Sequence, residues 1–205
     1  MKRQLSIAAL VLLCASSARA NIVENGGFES GASGWNVAGN VEVFSMTGPS
    51  YFGAGSTASN GAGMVAFNAG DTAGDGLLSQ RIATQAGQAY TVSFDYGLTD
   101  CDAACTQQLR VGVVGAYGDS LLDTTAVARF GPELARYSFS FIADGDKAML
   151  EFHDFSGNQT VSLDGVLDNV DVSAKVPEPG SLALLGLGML GIGAFLRRAR
   201  RMCVI

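Results

Sequence analysis

The feature that most constrains this chain is an alternation of apolar and polar side chains at every second residue. The alternation is clear in residues 90–96 (YTVSFDY) and 137–141 (YSFSF), and it recurs around Leu150 and Phe152. A period of two is typical of half-buried antiparallel strands, because successive side chains in a strand point to opposite faces of the sheet. The same pattern and shorter apolar runs predict further strands at residues 41–46, 63–67, 77–84, 108–114, 125–130 and 167–173.

Turn-forming residues separate these segments, for example at residues 87–88, 144–146 and 156–158, and the chain contains 27 glycines. Short strands at this spacing, about eight to ten in all, are typical of a two-sheet β-sandwich. Helix signals are almost absent from the same region. The sequence therefore predicts an all-β body.

The charge of the chain is unevenly distributed. The formal net charge is −6, yet residues 21–175 carry 18 acidic against 6 basic side chains, a formal charge of −12. An acidic body is a poor electrostatic candidate for nucleic-acid binding. Basic residues are concentrated at the two ends of the chain.

Residues 1–20 have the layout of a secretory signal peptide. Lys2 and Arg3 precede an apolar run at residues 5–14, and Ala18 and Ala20 form a small-residue cleavage site for signal peptidase. A membrane helix is the alternative, but the run is too short to cross about 30 Å of hydrocarbon. We expect a mature body that begins at residue 21 and extends to residue 175.

Residues 176–205 combine a short motif, an uncharged span and a basic end. The span at residues 181–196 is predicted to be a single transmembrane helix. It would be roughly 24 Å long, a short span for a bilayer, and the flanking arginines extend it by snorkelling. A basic cluster stays on the cytoplasmic side, so the body would lie outside, as the signal peptide also predicts. The motif is Val176, Pro177, Glu178 and Pro179, and the basic end at residues 197–201 includes Arg197 and Arg198.

This tail resembles the PEP-CTERM sorting signal of Gram-negative bacteria. The resemblance implies handling by an exosortase, a membrane protease-transpeptidase that would remove the tail near the Pro-Glu-Pro motif. The body would be anchored transiently to the inner membrane on its periplasmic side and then pass to the cell surface or the extracellular matrix. Such proteins tend to occur in bacteria that make exopolysaccharide.

The body itself is similar to the galactose-binding-like jelly rolls of carbohydrate-binding modules. The similarity rests on residues 25–29 (NGGFE), 34–35 (GW), 78–82 (LSQRI), 87–94 (GQAYTVSF) and 167–170 (LDNV). It implies a jelly-roll β-sandwich and often a structural calcium ion, whose ligands would include Glu29 and Asp168. Calcium takes six to eight oxygen ligands, so carbonyl groups would supply the rest. The alternative is that both residues are ordinary turn acids.

The body contains two cysteines, Cys101 and Cys105. We expect them to form a disulfide in an oxidising compartment, where it would close a small loop between two strands. A metal site is the alternative, but it needs further ligands, and the chain has a single histidine.

Sequence motifs of common enzymes are absent, and His153 is the one histidine available for a catalytic triad. Paired carboxylates suit a glycosidase, but an acidic body offers many such pairs by chance. We therefore expect a non-catalytic protein that binds polysaccharide. A structural surface protein without a small ligand is the main alternative, and a glycan-active enzyme is a weaker one.

A carbohydrate site would stack sugar rings on exposed aromatic side chains. Tyr51, Phe52 and Tyr117 are the candidates, because they lie outside the strand phase that points to the core. Trp35, the sole tryptophan, follows the opening motif and is expected in the core.

Overall fold

The computed structural model describes residues 20–45, 59, 61–67, 74–98, 106–129, 134–155, 157–158 and 165–175. These residues belong to one compact unit, Ala20–Lys175. The signal peptide, the sorting tail, Tyr51, Phe52, Cys101 and Cys105 lie outside the described residues.

The described residues form ten strands and no helix. They are β1 Asn36–Ala38, β2 Val41–Ser45, β3 Gly63–Phe67, β4 Leu77–Ala83, β5 Ala89–Leu98, β6 Thr106–Val114, β7 Ser120–Arg129, β8 Ala135–Ile142, β9 Lys147–Asp154 and β10 Gly165–Ala174. The all-β fold and nine of these strands agree with the sequence prediction. β1 was not predicted, because its three residues are all exposed and carry no alternation. β7 begins earlier than predicted.

The strands form two five-stranded antiparallel sheets. The first sheet has the order β1-β4-β9-β6-β7, and the second has the order β2-β3-β10-β5-β8. The free edges of β7 and β8 meet at one side, where the Tyr137 hydroxyl donates a hydrogen bond to the Val127 carbonyl at 2.7 Å. This contact protects two edges that would otherwise present unpaired backbone groups.

The core lies between the two sheets and is rich in aromatic side chains. Phe94 of β5 meets Phe152 of β9 edge to face, with 5.2 Å between ring centroids. Trp35 packs against Phe28 at 5.4 Å and Phe152 at 6.3 Å, which confirms its predicted place in the core. Offset and edge-to-face pairs of this kind add to the free energy gained by burying the rings.

The outer face of the second sheet is largely closed to solvent around its centre. All five residues of β3 are buried, including the outward-pointing Met64 and Ala66. Val166 and Asp168 of β10 and Asp95 of β5 are also buried on this side. An apolar run buried on both faces explains why β3 lacks an apolar–polar alternation.

Candidate functional site

The outer face of the first sheet differs from that of the second because it is open and polar. The outward positions of β9 hold Glu151 and His153, which alternate with the buried Leu150 and Phe152. The outward positions of β6 and β7 are likewise exposed or half-buried. We call this surface the open face; its polar centre comprises Arg110, Gly112, Asp123, Glu151 and His153.

Strand register places these five residues in two adjacent rows. His153 stands opposite Arg110 in one row, and Glu151 stands opposite Gly112 in the next. On the other side of β6, Gly112 stands opposite Asp123. Arg110 and His153 thus lie beside the carboxylates of Glu151 and Asp123, and Gly112 lies between these two carboxylates.

Arg110 and Asp123 form a bidentate ion pair across the open face. The guanidinium donates from Nε and a terminal nitrogen to the two carboxylate oxygens, both at 2.7 Å. The hydrogen bonds from Arg110 lower the pKa of Asp123 and keep it ionised, while Asp123 raises the pKa of Arg110. Both side chains are about half-exposed. Exposed pairs contribute little to stability, so the pair mainly fixes the orientation of two polar groups toward solvent.

His153 lies beside Glu151 on the same face. The imidazole Nε2 is 3.2 Å from a Glu151 carboxylate oxygen, and both side chains are partly exposed. His153 thus points away from the core. The open face therefore offers hydrogen-bonding groups of both polarities, the kind of surface that recognises hydroxyl-rich ligands.

Tyr117 lies in the turn between β6 and β7, and its side chain is 80% exposed. The turn is anchored by the Ala116 N–H, which donates to an Asp144 carboxylate oxygen at 2.8 Å. A Cβ atom on Gly145 of the β8–β9 turn would collide with the Ala116 side chain and lie 3.9 Å from the Tyr117 ring, so the two turns approach each other closely. Tyr117 thus stands beyond the Val114–Met149 pair, at one end of the first sheet.

Glu29 and Asp168, the predicted calcium ligands, are both held by the segment around residues 59–63. A Glu29 carboxylate oxygen accepts hydrogen bonds from the Ala62 and Gly63 N–H groups, each at 2.7 Å, and these bonds lower the pKa of Glu29. An Asp168 oxygen lies 3.0 Å from the Ser59 hydroxyl.

The donor chemistry at Glu29 and Asp168 fits calcium, because carboxylate and carbonyl oxygens are the ligands that this ion prefers. No group of three or more Asp, Glu, His or Cys side chains suited to a metal occurs in the described part of the chain. A calcium ion held by these two acids would therefore depend on backbone carbonyl oxygens for the rest of its ligands.

Comparison with protein families identifies both parts of the chain. Residues 19–173 match the family described as a protein of unknown function, DUF642. The chain belongs to the DUF642 family. Residues 175–201 match the PEP-CTERM protein-sorting motif, which confirms the sorting signal predicted from Val176, Pro177, Glu178 and Pro179 and the arginines that follow.

The PEP-CTERM match of this DUF642 chain indicates export with membrane-anchored sorting. Within the described ranges, no helix is long and apolar enough to cross a membrane, and the predicted span at residues 181–196 lies outside them. A comparison with curated protein sequences gives no match.

Solved structures similar to this DUF642 chain confirm the β-sandwich of the carbohydrate-binding-module type. TmCBM61 in complex with β-1,4-galactotriose superposes with a TM-score of 0.53 at 20% identity, covering 76% of this chain and 99% of that one. Arabinose-bound MgGH51 α-L-arabinofuranosidase gives a TM-score of 0.56 at 12% identity, covering 78% of this chain and 27% of that one. At these identities the likeness concerns the fold.

Sequence reasoning proposed Tyr51, Phe52 and Tyr117 as the carbohydrate-binding residues and did not find the polar centre of the open face. The alternation around Leu150 and in residues 108–114 was a usable signal, since it places Arg110, Glu151 and His153 on outward positions. What the alternation cannot give is strand order. Only the β9-β6-β7 pairing brings Glu151, Gly112 and Asp123 into one row.

Proposed function

We propose that this exported protein binds carbohydrate through the open face of its first sheet. The observation that carries the proposal is the contrast between the two sheets: one outer face is buried around Asp95 and Asp168, whereas the other presents Arg110, Asp123, Glu151 and His153 to solvent. Planar arrays of carboxylate, guanidinium and imidazole groups suit the hydroxyl groups of sugars. The fold shared with a galactotriose-binding module supports the same assignment.

The ligand we propose is a neutral polysaccharide. The body carries an excess of acidic side chains, and two of its carboxylates stand on the open face itself. A uronic acid residue placed there would be repelled by Glu151, and Arg110 is already bound to both oxygens of Asp123, whereas sugar hydroxyl groups would donate hydrogen bonds to the carboxylates.

We propose that binding is not followed by hydrolysis. A glycosidase requires one carboxylic acid whose pKa is raised, so that it holds a proton near neutral pH. The pKa of Asp123 is instead lowered by Arg110. The pKa of Asp154 is raised mainly by burial, but Asp154 lies in phase with the inward-pointing Phe152 and does not share the open face.

Tyr117 would extend this site as an aromatic platform at the end of the sheet. Its exposure meets the requirement for stacking on a sugar ring, since a buried ring has no free face. Tyr51 and Phe52 stay predictions for the same role. The Cys101–Cys105 disulfide and exosortase removal of the tail, followed by a location at the cell surface or in an exopolysaccharide matrix, also remain proposals.

A structural calcium ion bound by Glu29 and Asp168 remains a proposal on the fit of their oxygens. Calcium binds the folded chain and not the unfolded one, so its removal would lower the melting temperature. Thermal unfolding with a chelator and with added calcium tests this. An unchanged melting temperature would rule the ion out as a stabilising ligand.

Paired substitutions on the open face test the binding proposal. The double variant Arg110→Ala, Asp123→Ala removes both partners of an exposed pair, so we expect its stability to fall within about 1 kcal/mol of the wild type. Binding should be measured on an array of neutral and acidic oligosaccharides with the full-length chain in mild detergent. Loss of binding by the double variant supports the open face; undiminished binding places the ligand elsewhere.

A further inference from the structure

Gly112 occupies a position where neither a positive φ angle nor close packing requires glycine. It lies within β6, which is flanked by β9 and β7, and a glycine inside a strand costs about 0.5–1 kcal/mol relative to alanine. Its φ angle is not among the positive values that glycine adopts elsewhere in the described chain, for example at Gly87 and Gly118. The backbone at Gly112 therefore accepts any side chain.

Packing does not require glycine at this position either. A Cβ atom on Gly112 would lie 3.8 Å from Glu151 and 3.9 Å from the Leu122 carbonyl oxygen, which are ordinary van der Waals distances. Other strand glycines contrast with this. A Cβ on Gly165 would collide with the Tyr96 hydroxyl, and one on Gly97 would lie 2.6 Å from a Leu134 methyl group.

The absent side chain leaves a gap in the open face at a particular place. On one side the gap is bordered by Glu151, and on the other by Asp123. The next outward position of β6 is Arg110, opposite His153. Glycine inside a strand marks a bulge, a tight bend, or a place where a ligand or another backbone approaches closely. The β6–β7 register shifts at Val113 and Val114, one residue beyond Gly112, and the row of Glu151, Gly112 and Asp123 is itself regular.

We propose that a single sugar ring binds directly over Gly112 and that this position sets the specificity of the site. This inference rests on the proposed carbohydrate function. It assigns recognition of the sugar to the part of the open face around Gly112. A neutral ring lying over Gly112 donates hydroxyl hydrogen bonds to Glu151 on one side and Asp123 on the other. A ligand carboxylate at that position would face the Glu151 carboxylate, and both Asp123 oxygens already hold the Arg110 guanidinium that could otherwise attract it.

Valine at position 112 tests this directly. Gly112→Val suits a strand and has room for its Cβ, so we expect a melting temperature equal to or above that of the wild type. The isopropyl group fills the gap, and we expect binding of the best neutral glycan on the array to weaken about tenfold or more, through loss of two hydrogen bonds to charged groups. Gly112→Ala, with a single methyl group, should weaken binding less.

The matched control is Ser140→Val, which adds the same side chain at an exposed strand position of β8 in the second sheet, away from the open face. We expect it to bind as the wild type does. If Gly112→Val and Gly112→Ala fold and bind as tightly as the wild type, no sugar ring binds over Gly112, but the proposed carbohydrate binding is not contradicted. If the wild type binds no glycan on the array, the proposed function itself fails.

Discussion

Asp95 and Asp168 stand directly opposite each other on β5 and β10, and both carboxylates lie within hydrogen-bond distance of one hydroxyl group. The Ser59 Oγ is 2.6 Å from an Asp95 oxygen and 3.0 Å from an Asp168 oxygen. A hydroxyl has one proton and donates to one carboxylate at a time. Ser59 therefore cannot donate to both acids at once, and a positive charge nearby stabilises the ionised form of either. Arg136 supplies it to Asp95 at 3.1 Å.

Removing the Arg136 charge should destabilise the protein. Arg136→Met removes the ion pair of the nearly buried Asp95 and leaves it, among the described side chains, with the neutral donors Ser59 and Asn169, so we expect a loss of ~2 kcal/mol in the free energy of unfolding. Chemical denaturation measures it. Arg110→Met is the matched control, since it breaks an exposed pair and should cost under about 1 kcal/mol. Equal losses in the two variants would contradict a special role for Arg136.

Asp95→Asn should reduce the cost of losing Arg136. Once Asp95 is neutral, Arg136 no longer offsets a buried charge, so Arg136→Met should cost less in that background than in the wild type. A double-mutant cycle in urea gives the coupling between the two residues. Additive losses would show that Arg136 acts through its other contacts, with Ser93 and the Asn169 carbonyl.

Glu29 should contribute to the acid sensitivity of the fold. Its pKa lies below the ordinary value of 4.5 because the Gly63 and Ala62 N–H groups bind the ionised form. The stabilisation is therefore complete above that ordinary value and is lost as the pH falls through the lowered pKa. Melting temperatures of the wild type and Glu29→Gln should differ at pH 6 and converge toward pH 3. A constant difference would contradict this assignment.

Asp154→Asn should stabilise the protein at neutral pH. Phe94 of β5 packs on Phe152 of β9. Tyr96 and Asp154 each lie two residues further along these two strands, so they share the inward phase of the two phenylalanines. In the described structure, the Tyr96 hydroxyl and Asp154 Oδ2 are buried without a hydrogen-bond partner. Burial raises the pKa of both groups. Asparagine keeps the oxygen that accepts from Asn158 and the Phe155 N–H.

The pH dependence identifies the cause of that gain. Because the folded-state pKa of Asp154 is raised, ionisation costs stability as the pH rises above the ordinary value of 3.8. The melting temperature of Asp154→Asn should exceed that of the wild type by a few degrees at pH 7, and the two should agree below pH 3.8. A variant less stable at pH 7 would show that the ionised carboxylate is needed.

Tyr117→Ala should separate binding from stability. The ring is mostly solvent-exposed, so we expect the melting temperature to stay the same while glycan affinity falls about tenfold. Phe155→Ala is the matched control, because Phe155 is another exposed aromatic residue, 42% accessible, in the segment that follows β9. Equal affinity of both variants and the wild type would remove Tyr117 from the site.

Much of this fold follows from the sequence, and the reason is visible in β5 and β9. The alternation in these two strands indicates which side chains face the core, so it predicts Phe94 and Phe152 as interior residues, and both are buried. β1 is not predicted, because its three residues are all exposed and show no apolar–polar alternation. The sorting tail was recognisable because motif, apolar span and arginines are local in the chain.

The site depends on contacts that a local pattern does not encode. Glu151 and Asp123 are far apart in sequence and come to opposite sides of Gly112 only because β9 and β7 both pair with β6. Alternation gives the face of each side chain but not which strands are neighbours. The same holds for Asp95 and Arg136, whose pairing requires the β5–β8 register.

The most direct test of the open face is to compare glycan affinity between two glutamate variants on different sheets. Glu151→Ala removes a carboxylate from the open face, whereas Glu42→Ala removes an exposed carboxylate from β2 of the second sheet. The change in net charge is identical. Both full-length variants should be titrated with the neutral oligosaccharide that binds the wild type most tightly on the array. We predict that Glu151→Ala binds it about tenfold more weakly than the wild type, because a charge-assisted hydrogen bond is lost. Glu42→Ala should bind it as tightly as the wild type does. Equal affinity of the two variants, or no binding of neutral glycans by the wild type, would contradict a carbohydrate site on this face.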